Sequence, residues 1–170
     1  MRPLAWNTLA LVIGIGLVNG AQAADIVRNT TGPGPANILE SVAIPANAEV
    51  LALSGVVPQP IDPAKRASLA DFGDTKTQTI SVLTQIKAIL ERRGYKMSDV
   101  VRMTVFLTAD PKNKDGRMDF QGMNEAYRMF FGSAENPNVV ARSTVQVAAL
   151  ANPFYLVEIE VTAAKVPGSK

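Results

Sequence analysis

The stretch NVVARSTVQVAALANPFYLVEIEV, from Asn138 to Val161, holds one arginine and two glutamates, Arg142, Glu158 and Glu160, among residues that otherwise read as core. A charge in a strand is ordinary where its face meets water, and it becomes chemistry where that face lines a pocket. A planar guanidinium with five donors matches a carboxylate bidentately. Arg142 can therefore anchor a carboxylate ligand or form an intersubunit salt bridge to a carboxylate such as Glu160. The chain contains no histidine and no cysteine, which excludes an imidazole base, a Ser-His-Asp triad, a thiol nucleophile, a disulfide and a soft zinc site. Catalysis, if present, runs on carboxylates, hydroxyls, lysine, arginine and backbone groups.

These side chains must be placed by the elements around them. Val101, Met103, Val105 and Leu107 alternate with Arg102, Thr104, Phe106 and Thr108, a strand pattern. In the next strand Arg142, Thr144, Gln146 and Ala148 share one face and Ser143, Val145, Val147 and Ala149 the other; in the last, Leu156, Glu158, Glu160 and Thr162 oppose Tyr155, Val157, Ile159 and Val161. The apolar faces belong under the helices. The polar faces are not saturated with charge, as expected of a surface that packs against a partner while keeping a few polar groups.

Val82, Leu83, Ile86, Ile89 and Leu90 recur at helical spacing between a candidate N-cap, Asp74, and a stop at Gly94. A second helix, DFQGMNEAYRMFF, places Phe120, Met123, Tyr127 and Phe130 along one side, with Asn124 beside them as a structural hydrogen-bonder or a ligand contact. Upstream, SVAIPANAEVLALSG reads as two strands joined by a turn at Pro45-Ala46-Asn47, and DIV near Ile26 as a short first strand. The proline-rich stretch from Val56 to Gly73 reads as a surface loop. The expected fold is α+β, a mixed six-stranded sheet with two helices packed on one face.

Composition sets the remaining bounds. With 47% hydrophobic residues and a formal charge of +2, the chain fits a globular domain with a sizeable core and gives no sign of nucleic acid as a partner. Lys87, Arg92, Arg93 and Lys96 cluster but are interrupted by Glu91 and Asp99, as on a solvated helix end. Residues 1–23 have a basic start at Arg2, an apolar run from Leu9 to Val18 and a small-x-small sequence, Ala21-Gln22-Ala23. This is the pattern of a cleaved signal peptide, implying export, with residues 24–170 as one domain and no membrane association after cleavage.

The pieces LSG, TQTISVLTQIKAILERRGYKMSDVVRMTVFLT, MNEAYRMFF, ARSTVQVAAL and VEIEVTA stand in one order between Val50 and Ala164. Together they resemble the Rid (reactive intermediate deaminase, YjgF-type) proteins, formerly labelled L-PSP endoribonucleases. The resemblance implies a chorismate-mutase-like fold and a homotrimer with ligand pockets at the subunit interfaces. It also implies hydrolysis of enamine or imine intermediates to a 2-oxo acid and ammonia, without cofactor or metal. By the same resemblance Arg142 holds the substrate carboxylate and Glu158 handles the attacking water. Thr144, Asn124, Tyr127 and Gly55 line the pocket, and Glu160 has a solvated or trimer-bridging role.

The sequence departs from the family pattern at Ser41, Val56 and Val140, which alters the pocket wall. Pyridoxal-phosphate enzymes, the source of enamines, are mainly cytoplasmic. A periplasmic member implied by the leader therefore has a second reading, a non-catalytic trimer that binds a small molecule or acts as a chaperone.

Overall fold

The structure is a computed structural model that describes residues 25–168, so the expected leader lies outside the described residues. Helix α1, Thr75–Arg92, begins where Asp74 Oδ1 accepts the Thr77 amide at 2.9 Å and the Thr77 hydroxyl at 2.8 Å. It ends where Gly94 takes φ +75°, the left-handed conformation that glycine adopts without strain. Between these caps Val82, Leu83, Ile86 and Leu90 are fully buried, each worth about 1.5–3 kcal/mol of transfer from water. Helix α2, Phe120–Phe130, is capped by Asp119 through the Gly122 amide at 2.8 Å, and it buries Met123, Ala126 and Tyr127.

The six expected strands are present, but they form two sheets. Strands β3 (Glu49–Val56), β4 (Val100–Leu107), β5 (Ala141–Gln146) and β6 (Val157–Lys165) assemble in the order β3-β6-β4-β5; β4 and β5 run parallel and the other pairs antiparallel. Strands β1 (Val27–Asn29) and β2 (Ser41–Ala43) form their own antiparallel ribbon. The turn at Pro45 exists, with the Ala48 amide donating to the Pro45 carbonyl at 3.0 Å. It does not make a β2–β3 ladder, because β2 is paired with β1 and Pro45 has no N–H to extend one. Arg28 holds the ribbon in place by donating to the carbonyls of Ser98 at 2.7 Å and Val100 at 3.1 Å.

Both helices cover one face of the larger sheet, where Met103, Val105, Leu107, Val157, Ile159 and Val161 form the core with α1 and α2. The loop before α1 is tied down as well. Phe72 is buried against Phe154 and Tyr155, with ring centroids 6.3 and 5.4 Å apart. Gln78, fully buried, donates to the carbonyls of Gly73 and Phe154 and accepts the Leu156 amide. One side chain thus joins the first turn of α1 to the approach of β6.

The faces of β6 fall as expected, with Val157, Ile159 and Val161 inward and Glu158, Glu160 and Thr162 outward. Those of β5 are reversed. Arg142 pairs with Met103 and Thr144 with Val105, both buried under the helices, whereas Ser143 and Val145 pair with Thr104 and Phe106 on the open face. The polar face of β5 therefore lies on the helix side. This is tolerated because β5 is an edge strand: Gln146 accepts the Met118 amide and donates to the Gly116 carbonyl, using its polarity to hold the loop before α2. The strand is also shorter than its apolar run suggests. The Val147 amide still donates to the Leu107 carbonyl at 2.8 Å, but β4 ends there, so Ala148 to Leu150 lie beyond the ladder.

Candidate functional site

On the helix side, Arg142 extends from β5 across the exposed flank of α2. One terminal nitrogen donates to Asn124 Oδ1 at 2.7 Å, the other approaches the Met123 thioether at 3.7 Å, and the guanidinium carbon stands 4.3 Å from the centroid of the Tyr127 ring. Phe120 borders the same group at 6.0 Å. The helical spacing of Phe120, Met123, Asn124 and Tyr127 makes this cradle, since residues three and four apart stack on one face.

Each support is itself held. The Asn124 amide donates to the Phe120 carbonyl at 3.0 Å, so its oxygen is left for the arginine. Tyr127 is buried, its ring stacks on Phe131 at 5.0 Å, and its hydroxyl accepts the Val140 amide at 3.3 Å. Burial pushes the Tyr127 phenol above its ordinary pKa and is the main cause that lowers Arg142, with Arg128 adding like-charge repulsion. Among the described residues, no carboxylate forms a salt bridge with Arg142. A partly desolvated cation with only neutral partners retains most of its capacity for an anion. Thr144, two residues on and on the same face, has a buried hydroxyl without a hydrogen-bond partner.

On the other face stand Glu158 and Gly55. Glu158 is half-buried and pairs with Phe106, while Gly55 lies at a register irregularity between Leu53 and Val56. A Cβ built on Gly55 would collide with Glu158 Oε1 and fall 2.7 Å from its carboxyl carbon, so the glycine provides the space the carboxylate occupies. Glu160, exposed two residues on, pairs with Thr104. Within one chain neither glutamate reaches Arg142.

The six residues expected at the site thus fall into two groups. Arg142, Asn124, Tyr127 and Thr144 gather on the helix side; Glu158 and Gly55 gather on the open side. Met123 and Phe120, read from the sequence only as one side of the second helix, join the first group. The signal for them was present in the helical spacing, but nothing in the sequence showed that an arginine would lie across that stripe. Ser41, in the ribbon, accepts a 3.0 Å bond from Asn29. Among the described residues, no group of three or more Asp or Glu side chains converges as a metal site would require.

The first group can hold and orient a carboxylate, and the second can exchange a proton. The same residues lie inside the segment shared with known proteins. The family model described as endoribonuclease L-PSP matches residues 33–165. A RutC family protein of Pyrococcus horikoshii is 43% identical over 106 residues, covering 62% of this chain and 73% of that protein. The RutC family protein YoaB of Escherichia coli is 42% identical over 91 residues, 54% of this chain and 70% of YoaB.

Among solved structures, Escherichia coli TdcF with bound serine matches at TM-score 0.54 and 28% identity, covering 81% of this chain and 92% of TdcF. The Rid protein YyfB of Yersinia pestis, at TM-score 0.61 and 22% identity over 82% of this chain and 97% of that one, shows the same fold. A family match spanning most of the described residues, relatives above 40% identity and a shared chorismate-mutase-like architecture place the chain in the Rid/YjgF family.

Proposed function

We propose that this protein is a cofactor-independent hydrolase of 2-imino acids and their enamine tautomers, releasing a 2-oxo acid and ammonia. The observation that supports this most is the Arg142 guanidinium, fixed by Asn124, seated on Tyr127 and lacking a carboxylate partner among the described residues. A small carboxylate-bearing substrate would complete it. The relative TdcF, solved with serine bound, holds a ligand of that kind.

In the proposed reaction the substrate carboxylate pairs with Arg142, which places the C=N carbon near the Glu158 carboxylate of a neighbouring copy. Glu158 takes a proton from water as the water oxygen bonds to that carbon, giving a tetrahedral carbinolamine. The proton then passes from Glu158 to the nitrogen, Glu158 takes the carbinolamine hydroxyl proton as the C–N bond breaks and the C=O bond forms, and ammonia leaves with the 2-oxo acid behind. One carboxylate serves both steps, and an imine is electrophilic enough to need little more.

Arg142 and Glu158 occupy opposite faces of one sheet, so the reading requires self-association. We place the pocket between copies of a homotrimer, with the open face of each sheet turned inward. That face carries Val50, Phe106 and Val145, with Val50 54% and Val145 43% exposed in the isolated chain. Such apolar surface favours burial against a partner.

One observation favours a binding protein instead: among the described residues the Glu158 carboxylate has no hydrogen bond or ion pair to aim it. Freshly generated aminocrotonate, with ammonia release followed with and without the protein, separates the two. Accelerated release supports the hydrolase. A protein that binds a 2-oxo acid through Arg142 yet accelerates nothing is the binding protein.

A further inference from the structure

A second concave site, whose lining does not include Arg142, lies where the last turns of α1 and α2 meet the segments that follow them. It has a volume of about 280 Å³ and is lined by Lys87 and Glu91 of α1, Lys96 after it, and Met129, Glu135 and Asn136 at the end of α2 and beyond. That size is near the lower end of the roughly 300–1,000 Å³ typical of small-molecule pockets. It suits a ligand of amino-acid size and excludes a nucleotide.

Asn136 shows that the site is built. The residue is only 7% exposed; its amide nitrogen donates to the Phe130 carbonyl at 2.8 Å, and its backbone amide is taken by Ser133 Oγ at 3.1 Å. Its Oδ1 has no hydrogen-bond partner. A buried carbonyl oxygen left unpaired costs about 1–3 kcal/mol, and only a donor can relieve it.

The charges at the rim agree with that requirement. Two lysines and two glutamates line one small cavity, and among the described residues none of the four forms a salt bridge, although Lys76 and Glu125 do so at 2.9 Å elsewhere on the same helices. The lining thus offers two cations for a carboxylate, two anions and a carbonyl oxygen for an ammonium, and the exposed Met129 side chain for an apolar group.

We infer that this cavity is a ligand site for a small zwitterion, an α-amino acid with an apolar side chain, separate from the Arg142 site. The ammonium is placed toward Asn136 and the glutamates, the carboxylate toward Lys87 and Lys96.

L-leucine is the probe, compared by calorimetry with isocaproate, which lacks the amine, and isoamylamine, which lacks the carboxylate. Leucine is expected to bind the full chain, and each analogue at least tenfold more weakly. The titrations are made in the R142A background, which removes carboxylate binding at the Arg142 site; there leucine should still bind, and adding the surface double variant K87A/K96A should abolish its preference over isoamylamine. An amide shift at Asn136 on titration would locate the ligand. The inference is overturned by no leucine binding at millimolar concentration, by equal affinity for all three probes, or by leucine binding that survives K87A/K96A and fails in R142A. None of these results depends on whether imines are hydrolysed, so the two readings stand or fall separately.

Discussion

Arg142 and Glu158 lie on opposite faces of one four-stranded sheet. Arg142 pairs with Met103 and reaches α2, whereas Glu158 pairs with Phe106 and faces away from both helices. A side chain cannot cross its own sheet, so a site that uses both must draw them from different copies. This leads to a complementation test. R142A and E158Q should each be inactive alone, yet refolded together they should regain about a quarter of wild-type activity, because a random trimer joins an intact Arg142 to an intact Glu158 at about that fraction of its interfaces. Light scattering should report about three times the monomer mass. Mixed variants that stay inactive, or a monomer in solution, would reject the shared pocket.

The two variants should also fail differently. Arg142→Ala removes the charge that pairs with the substrate carboxylate and should cost roughly 2–5 kcal/mol of ligand binding, at least tenfold in affinity at about 1.4 kcal/mol per tenfold. Glu158→Gln keeps the shape and should spare binding of a stable 2-oxo acid while lowering kcat. Equal binding and equal turnover in both variants and the parent would make the pair structural.

The sequence made part of this arrangement legible. Alternation identified β4 and β6 and assigned Glu158 to the uncovered face, and the caps at Asp74 and Gly94 bounded α1. It misplaced the polar face of β5, since period-two counting separates two faces without saying which one meets the helices. Edge position and parallel register with β4 decide that, and both are long-range. The hidden contact of Arg142 with α2 follows from the same cause. So does the separation of β1 and β2, which depends on Arg28 reaching carbonyls 70 and 72 positions away along the sequence.

The leader is a proposal about residues outside those described. A basic start, an apolar run and Ala21-Gln22-Ala23 should direct export and cleavage after Ala23. Intact mass of protein recovered from a periplasmic fraction should correspond to a chain beginning at Ala24. Protein confined to the cytoplasm, or retaining Met1, would count against it.

Gly55 tests the open half of the site alone. A methyl group there would overlap the Glu158 carboxyl, which must then swing away. Since Glu158 is half-buried and flexible, Gly55→Ala should change thermal stability by little while lowering kcat. The affinity of R142-dependent 2-oxo acid binding should change less than kcat does. A variant with full turnover would show that the carboxylate position seen here is not the one used.

Asp74 offers a pH test of the scaffold that supports both halves. Its carboxylate accepts the Thr77 amide and hydroxyl and pairs with Lys112 at 3.0 Å, which holds its pKa down to about 2 from an ordinary value of 3.8. A folded-state value below the unfolded one means that the native state releases its proton more readily. The contribution is therefore fully present above the unfolded value and fades as pH falls through the folded one. The group is 39% exposed, so solvent screens the lysine pair, and the amide cap sets the size of the effect. Asp74→Ala should cost about 1 kcal/mol at neutral pH. Urea unfolding of parent and variant should show that gap at pH 7, a smaller one near pH 3, and almost none below about 2. A gap that persists undiminished in acid would mean that the aspartate stabilises the helix by packing and not as a charged cap.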